Sequence, residues 1–189
     1  SPANCIALHP NQAEIAIGLQ DGRVCIWETK MNVISQTIVP EANSSVQSID
    51  FTSDGSLLAV LGTHGKCHIY TTKTATVGEL ALKKEFEAHK TFATCCKFSA
   101  DGKTFATSSA DKTVRIWKPR NDFALATTLL GHEGWVWDVT FSNNGEYLIS
   151  ASTDKTAKLW DLKSGEAIQT YKSHERGVVC LALHDKSGG

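Results

Sequence analysis

The chain has 189 residues, 41% of them hydrophobic and 21% charged, and its 19 basic and 20 acidic side chains leave a formal net charge of −1 at pH 7. This composition is typical of a soluble globular protein with one sizeable core. The absence of any Lys/Arg run longer than a pair argues against a nucleic-acid partner, and no apolar run approaches the roughly 18 residues of a membrane-spanning helix.

The N-terminal segment SPANCIALHP lacks the basic-then-apolar order of a signal peptide. It starts inside a repeat, so we expect a truncated N-terminus. The six cysteines all lie in apolar, strand-like runs without a CxxC pair, which predicts buried thiols in a reducing compartment. A disulfide framework or a zinc site is the alternative. The cysteines are Cys5, Cys25, Cys67, Cys95, Cys96 and Cys180.

Residues 1–41 alternate short apolar runs with turn residues such as Asp21-Gly22, which is the pattern of short β-strands joined by tight connections. The predicted strands are 5–8, 14–18, 24–27 and 33–39. Residues 42–87 repeat this order around the turn Asp54-Gly55. The predicted strands of this second repeat are 46–51, 57–61, 67–70 and 80–86.

Residues 88–130 and 131–172 form a third and a fourth repeat. In the fourth, Asn143-Asn144-Gly145 is a turn signal suited to positive φ. The predicted strands are 92–98, 104–108, 114–117 and 123–129 in the third repeat, and 135–141, 147–151, 157–160 and 167–171 in the fourth. Residues 173–185 begin a fifth repeat with a strand predicted at 178–183, and residues 186–189 are a tail.

The third strand of each complete repeat ends in an aromatic residue, and these residues are 43, 47 and 43 positions apart. A fixed period in this range indicates a repeat array. A four-stranded antiparallel sheet has two apolar faces that it cannot cover alone, and stacking such sheets around an axis buries both, as in a β-propeller. The four aromatic residues are Trp27, Tyr70, Trp117 and Trp160.

The Gly-His pair, turn Asp and terminal Trp-Asp of the fourth repeat resemble the signature of the WD-repeat family. His132 lies 28 residues before Trp160, as His89 lies 28 before Trp117. The runs LLGHEGWVWDVTFS and HERGVVCLALHD further resemble the lethal-with-Sec-thirteen family, the G-protein-β-like subunits of target-of-rapamycin (TOR) kinase complexes. This resemblance implies an all-β propeller of the WD-repeat type: four four-stranded antiparallel blades, the first strand of a closing blade, and seven blades in the full-length protein.

The resemblance also implies a function. It predicts a non-catalytic, cytoplasmic scaffold subunit that binds the kinase domain of a TOR-type kinase. The alternatives are another WD-repeat adaptor, such as a ubiquitin-ligase substrate receptor or a peptide reader, and a hydrolase that uses a Ser-His-Asp set. Because four blades leave two open blade faces, we also expect this chain either to self-associate or to be stable only with a partner or with the missing blades.

The resemblance to WD-repeat proteins also implies a buried hydrogen-bonded network in a blade. Its members are the turn Asp, the His, a strand hydroxyl and the Trp indole. Its recurrence and the absence of a Gly-x-Ser-x-Gly elbow disfavour the hydrolase alternative. The second repeat lacks the set, and the first keeps only its Asp and Trp. The expected members are His132, Ser152 (or Ser150), Asp154 and Trp160; His89, Ser109 (or Thr107), Asp111 and Trp117; and Asp21 and Trp27.

Trp135 and Trp137 lie at the start of an innermost strand, near one rim of the propeller. One interpretation is that they pack between blades; the other is that one is an exposed aromatic anchor for a partner. Phe92, Thr153 and Arg176 hold equivalent rim positions. No histidine pattern such as HExxH occurs, and no glycine-rich phosphate loop, so we expect no metal and no cofactor.

Overall fold

The computed structural model describes residues 1–73 and 77–183. Within them, sixteen strands form four antiparallel sheets, each built from four consecutive strands in chain order. The predicted all-β architecture of four four-stranded antiparallel blades is therefore confirmed. We call the four sheets blades 1 to 4.

The strands of each blade lie within one repeat of the sequence. Blade 1 contains β1 (Ala3–Leu8), β2 (Glu14–Leu19), β3 (Val24–Glu28) and β4 (Val33–Ile38). Blade 2 contains β5 (Val46–Phe51), β6 (Leu57–Gly62), β7 (Lys66–Thr71) and β8 (Ala81–Glu87). Blade 3 contains β9 (Ala93–Phe98), β10 (Phe105–Ser109), β11 (Val114–Lys118) and β12 (Ala124–Leu129). Blade 4 contains β13 (Val136–Phe141), β14 (Tyr147–Ser152), β15 (Ala157–Asp161) and β16 (Glu166–Tyr171).

The chain divides into two compact units, Ser1–Ala93 and Thr94–Gly189. In the first unit, blades 1 and 2 share an apolar core that includes Ile26, Ile49 and Leu58. In the second unit, blades 3 and 4 share a core in which Val139 and Leu148 are fully buried. Each core joins one face of a blade to the facing side of its neighbour, as the stacking argument requires.

A register irregularity interrupts the pairing of the third and fourth strands of every blade at the same place, immediately before the aromatic end. A bulge adds one residue to one strand and increases the local twist. The four irregularities fall at Ile26/Trp27, Ile69/Tyr70, Ile116/Trp117 and Leu159/Trp160.

Most predicted strand bounds lie within two residues of the observed ones, and two of the differences have a clear physical reason. The last strand of blade 3 begins at Ala124 rather than 123, because Pro119–Asn121 form a 3-10 turn and Asp122 and Phe123 have φ of 50° and 56°. Phe123 is buried against Phe98 and Phe105 instead, at ring-centroid distances of 6.4 and 5.8 Å.

The strand predicted at 178–183 is absent: the described residues after Tyr171 form no strand. The Val178 N–H donates to the Ser152 carbonyl at 2.9 Å, and the Leu181 N–H donates to Asp138 Oδ2 at 2.8 Å. A strand requires a neighbouring strand for its ladder of backbone bonds, whereas these two N–H groups bond to one backbone carbonyl and one side-chain carboxylate.

Candidate functional site

A continuous hydrogen-bonded network crosses blade 4. His132 Nδ1 lies 2.7 Å from Asp154 Oδ2, His132 Nε2 lies 2.7 Å from Ser150 Oγ, and Trp160 Nε1 donates to Ser150 Oγ at 2.8 Å. The ionised Asp154 carboxylate can only accept, so Nδ1 carries the proton of a neutral ring. Nε2 is then the acceptor for the Ser150 hydroxyl, and every polar atom in the network is satisfied.

The hydroxyl in this network belongs to Ser150, so the prediction of Ser152 was wrong. Leu148 pairs directly with Trp160, and Ser150, two residues further along β14, lies on the same face as the indole. Ser152 is also buried, but its Oγ accepts from the Asp154 N–H at 3.1 Å and supports the turn.

Blade 3 has the same relationship between indole and hydroxyl. Trp117 Nε1 donates to Thr107 Oγ1 at 3.0 Å, so the prediction of Ser109 was wrong for the same geometric reason. Ser109 Oγ accepts from the Asp111 N–H at 3.0 Å. His89, the histidine expected in this network, is fully buried and belongs to the first compact unit, Ser1–Ala93.

Blades 1 and 2 have no hydroxyl at the corresponding position. It lies ten residues before the aromatic end, where the sequence has Ile17 and Val60. The carboxylate of Asp21 instead forms a surface ion pair with Arg23 at 2.8 Å, and Trp27 is half-buried. Counting ten residues back from each aromatic residue is the sequence signal that identifies the correct hydroxyl in blades 3 and 4.

The electrostatics of the blade 4 network favour a neutral imidazole next to a carboxylate. Burial lowers the pKa of His132, against the opposing effect of Asp154. Burial raises the pKa of Asp154, but hydrogen bonds from Thr156, the Glu133 N–H and His132 outweigh it and bring the pKa to about 2. Because Ser150 is 0% exposed and holds the indole N–H as well, its oxygen is closed to a substrate.

The exposed tryptophan of blade 4 is Trp135. Its side chain is 44% exposed, and its ring lies 5.7 Å from that of the half-buried Trp137. The Thr153 N–H donates to the Trp135 carbonyl at 2.9 Å. Thr153 and Arg176 are exposed as well. A Cβ on Gly134 would overlap the Thr153 hydroxyl, so this glycine allows the two loops to meet.

Three of the five predicted rim residues are therefore exposed in the second unit: Trp135, Thr153 and Arg176. Trp137 is half-buried. Phe92 is half-buried as well, and it belongs to the first unit. The Trp135 and Thr153 backbones are joined by a hydrogen bond, so these two exposed residues lie side by side.

Five of the six cysteines are buried or half-buried, but Cys180 is exposed, so its predicted burial was wrong. None of the six forms a disulfide. Burial raises the pKa of the Cys95 thiol to about 12 and that of Cys67 still further. Within residues 1–73 and 77–183, no group of three or more His, Cys, Asp or Glu side chains has a metal-binding arrangement. No helix in those ranges has the length and hydrophobicity needed to cross a bilayer.

Two family models match the chain. The model "WD domain, G-beta repeat" matches residues 80–118 and 123–161, and the model "Anaphase-promoting complex subunit 4 WD40 domain" matches residues 6–86. Together they extend over all four blades.

The chain is also similar to curated proteins of animals and yeast. Target of rapamycin complex subunit LST8 of Mus musculus is 43% identical over 98% of this chain and 60% of its own length. Protein LST8 homolog of Drosophila melanogaster is 42% identical over 100% of this chain and 60% of its own length. Target of rapamycin complex subunit LST8 of Saccharomyces cerevisiae is 42% identical over 98% of this chain and 61% of its own length. The chain spans about 60% of the length of these relatives.

Proposed function

Since the chain belongs to the WD-repeat family and resembles the LST8 subunits of TOR complexes, we propose that it acts as a non-catalytic, cytoplasmic scaffold in a TOR complex. The partner it contacts is the kinase domain of a TOR-type kinase. The observation that carries this proposal is the identity of 42–43% to relatives named as TOR complex subunits, maintained over nearly the whole chain. Similarity restricted to the repeat signature would support only a generic adaptor.

The burial of the Ser-His-Asp set supports a scaffold over the hydrolase alternative. A catalytic serine must reach the substrate carbonyl, whereas Ser150 is fully buried and already holds both His132 and Trp160. The same indole–hydroxyl pair occurs in blade 3. A buried indole–hydroxyl hydrogen bond that occurs in two blades stabilises the fold. The proposed function therefore depends on exposed residues.

The proposed contact surface includes Trp135, the adjacent Thr153 and the exposed Arg176. Tryptophan brings a large apolar area with little side-chain entropy to lose, which is why it is enriched where binding energy concentrates. The hydrogen bond from Thr153 holds the Trp135 backbone, and the Trp137 ring lies 5.7 Å from the Trp135 ring, so both restrain the anchor before a partner arrives. A partner loop therefore meets an ordered anchor.

The experiment is co-purification of the kinase with full-length protein carrying Trp135→Ala. We expect kinase recovery to fall at least tenfold, since a central tryptophan contributes about 2 kcal/mol or more. The matched control is Leu125→Ala, a large apolar side chain of similar exposure (49%) on the outer strand of blade 3. Equal recovery for a folded Trp135→Ala variant and this control would eliminate Trp135 as an anchor.

We also propose that this chain self-associates through its uncovered sheet faces. On blade 1, Leu8, Ile15, Trp27 and Ile34 are paired across the four strands on the face opposite the shared core. Leu8 and Ile34 are 54% and 52% exposed. Contiguous exposed apolar surface favours association. A monodisperse monomer in light scattering at micromolar concentration would contradict this proposal.

The second copy is expected to contribute its blade 4. That sheet presents Ile149, Leu159, Ile168 and Tyr171 around an apolar groove of about 300 Å³. In each unit, the second blade packs the face that carries its aromatic end on the face of the first blade that lacks one. The exposed face described on blade 1 carries Trp27, and the exposed face described on blade 4 does not carry Trp160. These two faces can therefore pack on each other in the same way.

A further inference from the structure

Blade 2 holds the linker before its first strand without the polar network of blade 4. Val60 occupies the hydroxyl position, and the exposed His64 stands where the turn Asp would be. The linker, residues 39–45, is held partly by neutral contacts. The Thr63 N–H donates to the Ser45 carbonyl at 2.9 Å, and Ser44 Oγ lies 3.4 Å from Thr63 Oγ1.

A group of four ionisable side chains lies beside these contacts: Glu41 from the linker, Lys66 and His68 from β7, and Glu85 from β8. We call it the blade 2 cluster. Lys66 Nζ is 3.1 Å from Glu85 Oε1 and 3.8 Å from Glu41 Oε1, and His68 Nε2 is 3.5 Å from Glu85 Oε2. Lys66 thereby connects the linker to the outer strand of the blade.

Two buried polar atoms of the cluster have no hydrogen-bond partner among the described residues. They are His68 Nδ1 and Glu41 Oε2. The His68 side chain is only 3% exposed. A neutral ring that directs Nε2–H toward Glu85 leaves an unmatched acceptor at Nδ1. Protonation would place a second N–H and a positive charge in the same buried position, which costs more than an unmatched acceptor.

We propose that the blade 2 cluster is a pH-sensitive latch, which holds the 39–45 linker on blade 2 at neutral pH and releases it on mild acidification. The charges that act on the His68 ring are those of Glu85, Glu41 and Lys66, and the buried Tyr70 lies on the same face of β7. The Glu41 charge acts on the ring, which places the linker near His68, and on this proposal release of the linker exposes the imidazole to water and thereby favours its protonated form.

The direction follows from the pKa values of the two forms. Burial lowers the pKa of His68 in the closed form below 6.5, with the carboxylates opposing and Lys66 assisting this shift. In the released form the ring regains an ordinary pKa of about 6.5. The stabilisation of the closed form is therefore complete above pH 6.5 and declines as the pH falls from 6.5 toward the lower value.

Three groups around His68 have pKa values that are shifted away from this pH range. The hydrogen bond from Lys66 lowers the pKa of Glu85, and that bond, with the Glu85 and Glu41 charges, raises the pKa of Lys66. Burial raises the pKa of Tyr70. We therefore assign the effect of a change from pH 7.5 to 5.5 to protonation of the buried His68 ring.

The test is hydrogen exchange of the whole chain at pH 7.5 and 5.5, corrected for intrinsic exchange rates. The reporter is the Thr63 amide, which is bonded to the linker at Ser45. We expect its corrected exchange rate to rise by up to about tenfold at pH 5.5, the factor by which an imidazole of pKa about 6.5 favours its protonated form over that interval. His68→Gln should remove the rise.

His64→Gln is the matched control, because it changes an exposed histidine on the same hairpin, four residues away. It should preserve the rise. His68→Phe is a second variant in case the amide is poorly tolerated, and it should also give a flat response. A rise that persists in both His68 variants, or no rise in the parent chain, would overturn the proposal.

Discussion

Trp160 and Ser150 are ten residues apart in the chain and are joined by a hydrogen bond of 2.8 Å from indole to hydroxyl. Thr107 and Trp117 repeat this relationship at 3.0 Å. Both hydroxyls are fully buried. The pair links the second and third strands of the blade, and in blade 4 the hydroxyl also engages His132, so one oxygen joins the loop before β13 to the middle of the sheet.

Replacing Ser150 separates the role of its hydroxyl from that of its volume. Ser150→Thr should change the free energy of unfolding by less than about 1 kcal/mol, because blade 3 uses threonine at this position. Valine has the shape of threonine but no hydroxyl, so Ser150→Val leaves His132 Nε2 and Trp160 Nε1 without their partner. It should therefore lower the free energy of unfolding by about 1–3 kcal/mol more than Ser150→Thr does. Urea unfolding monitored by tryptophan fluorescence measures both. Equal stability of the two variants would show that the hydroxyl contributes nothing.

The blade 4 network should make stability depend on pH. The pKa of His132 is lowered by burial, so the unfolded chain takes up a proton below about pH 6.5 while the folded chain resists it. Stability should therefore decline between pH 7.5 and 5.5. Asp154, with a pKa of about 2, adds a second decline as pH falls from 3.8 toward 2.

The measurement is the free energy of unfolding at pH 7.5 and 5.5 in the parent chain and in His132→Gln. The variant loses the titrating ring, so the difference between the two pH values should be smaller, although its stability at pH 7.5 is lower. His64→Gln, which removes an exposed ring, should retain the parent's difference. A parent-like difference in His132→Gln would contradict the assignment.

Gly134 should resist substitution because of its close neighbours. A Cβ there would lie 2.7 Å from the Asp154 amide nitrogen and would overlap the Thr153 hydroxyl. Gly134→Ala should cost about 1–3 kcal/mol, as overpacking does. It should also weaken kinase recovery, because it displaces Thr153 from the Trp135 backbone. Gly102→Ala is the comparison: its Cβ meets nothing within 4 Å, and only its φ of 64° opposes the change. Equal costs would exclude steric overlap as the cause.

The cysteines should differ sharply in reactivity. Only thiolates react readily, and the raised pKa values of Cys67 and Cys95 together with their burial keep both thiols protonated and inaccessible. Cys180 is exposed. Iodoacetamide at pH 8 followed by peptide mass analysis should label Cys180 first and reach Cys67 and Cys95 only after unfolding. Early labelling of Cys67 would contradict the buried position of β7.

Much of the candidate site could be predicted from residue spacing. Residue type alone, however, did not show which serine hydroxyl accepts the hydrogen bond from the Trp160 indole. Ser150 and Ser152 are both plausible by composition, and both are buried. Which one meets the indole depends on the register that pairs Leu148 with Trp160. Similarly, Trp135 and Trp137 are alike in sequence, and their exposure is decided by the bulge between Val136 and Asp138 and by packing around it.

The sequence by itself determined the period and the order of the four strands in each of the four complete repeats, because alternation, turn residues and aromatic ends are local patterns that neighbouring residues set. Tertiary structure alone decided what depends on distant partners. It left 178–183 without a strand, since a strand needs a neighbour. It also brought Glu41, Lys66 and Glu85 together from three separate elements. Hydrogen bonds and ion pairs require atoms within a few ångströms, and that proximity arises only when the sheets are paired and packed.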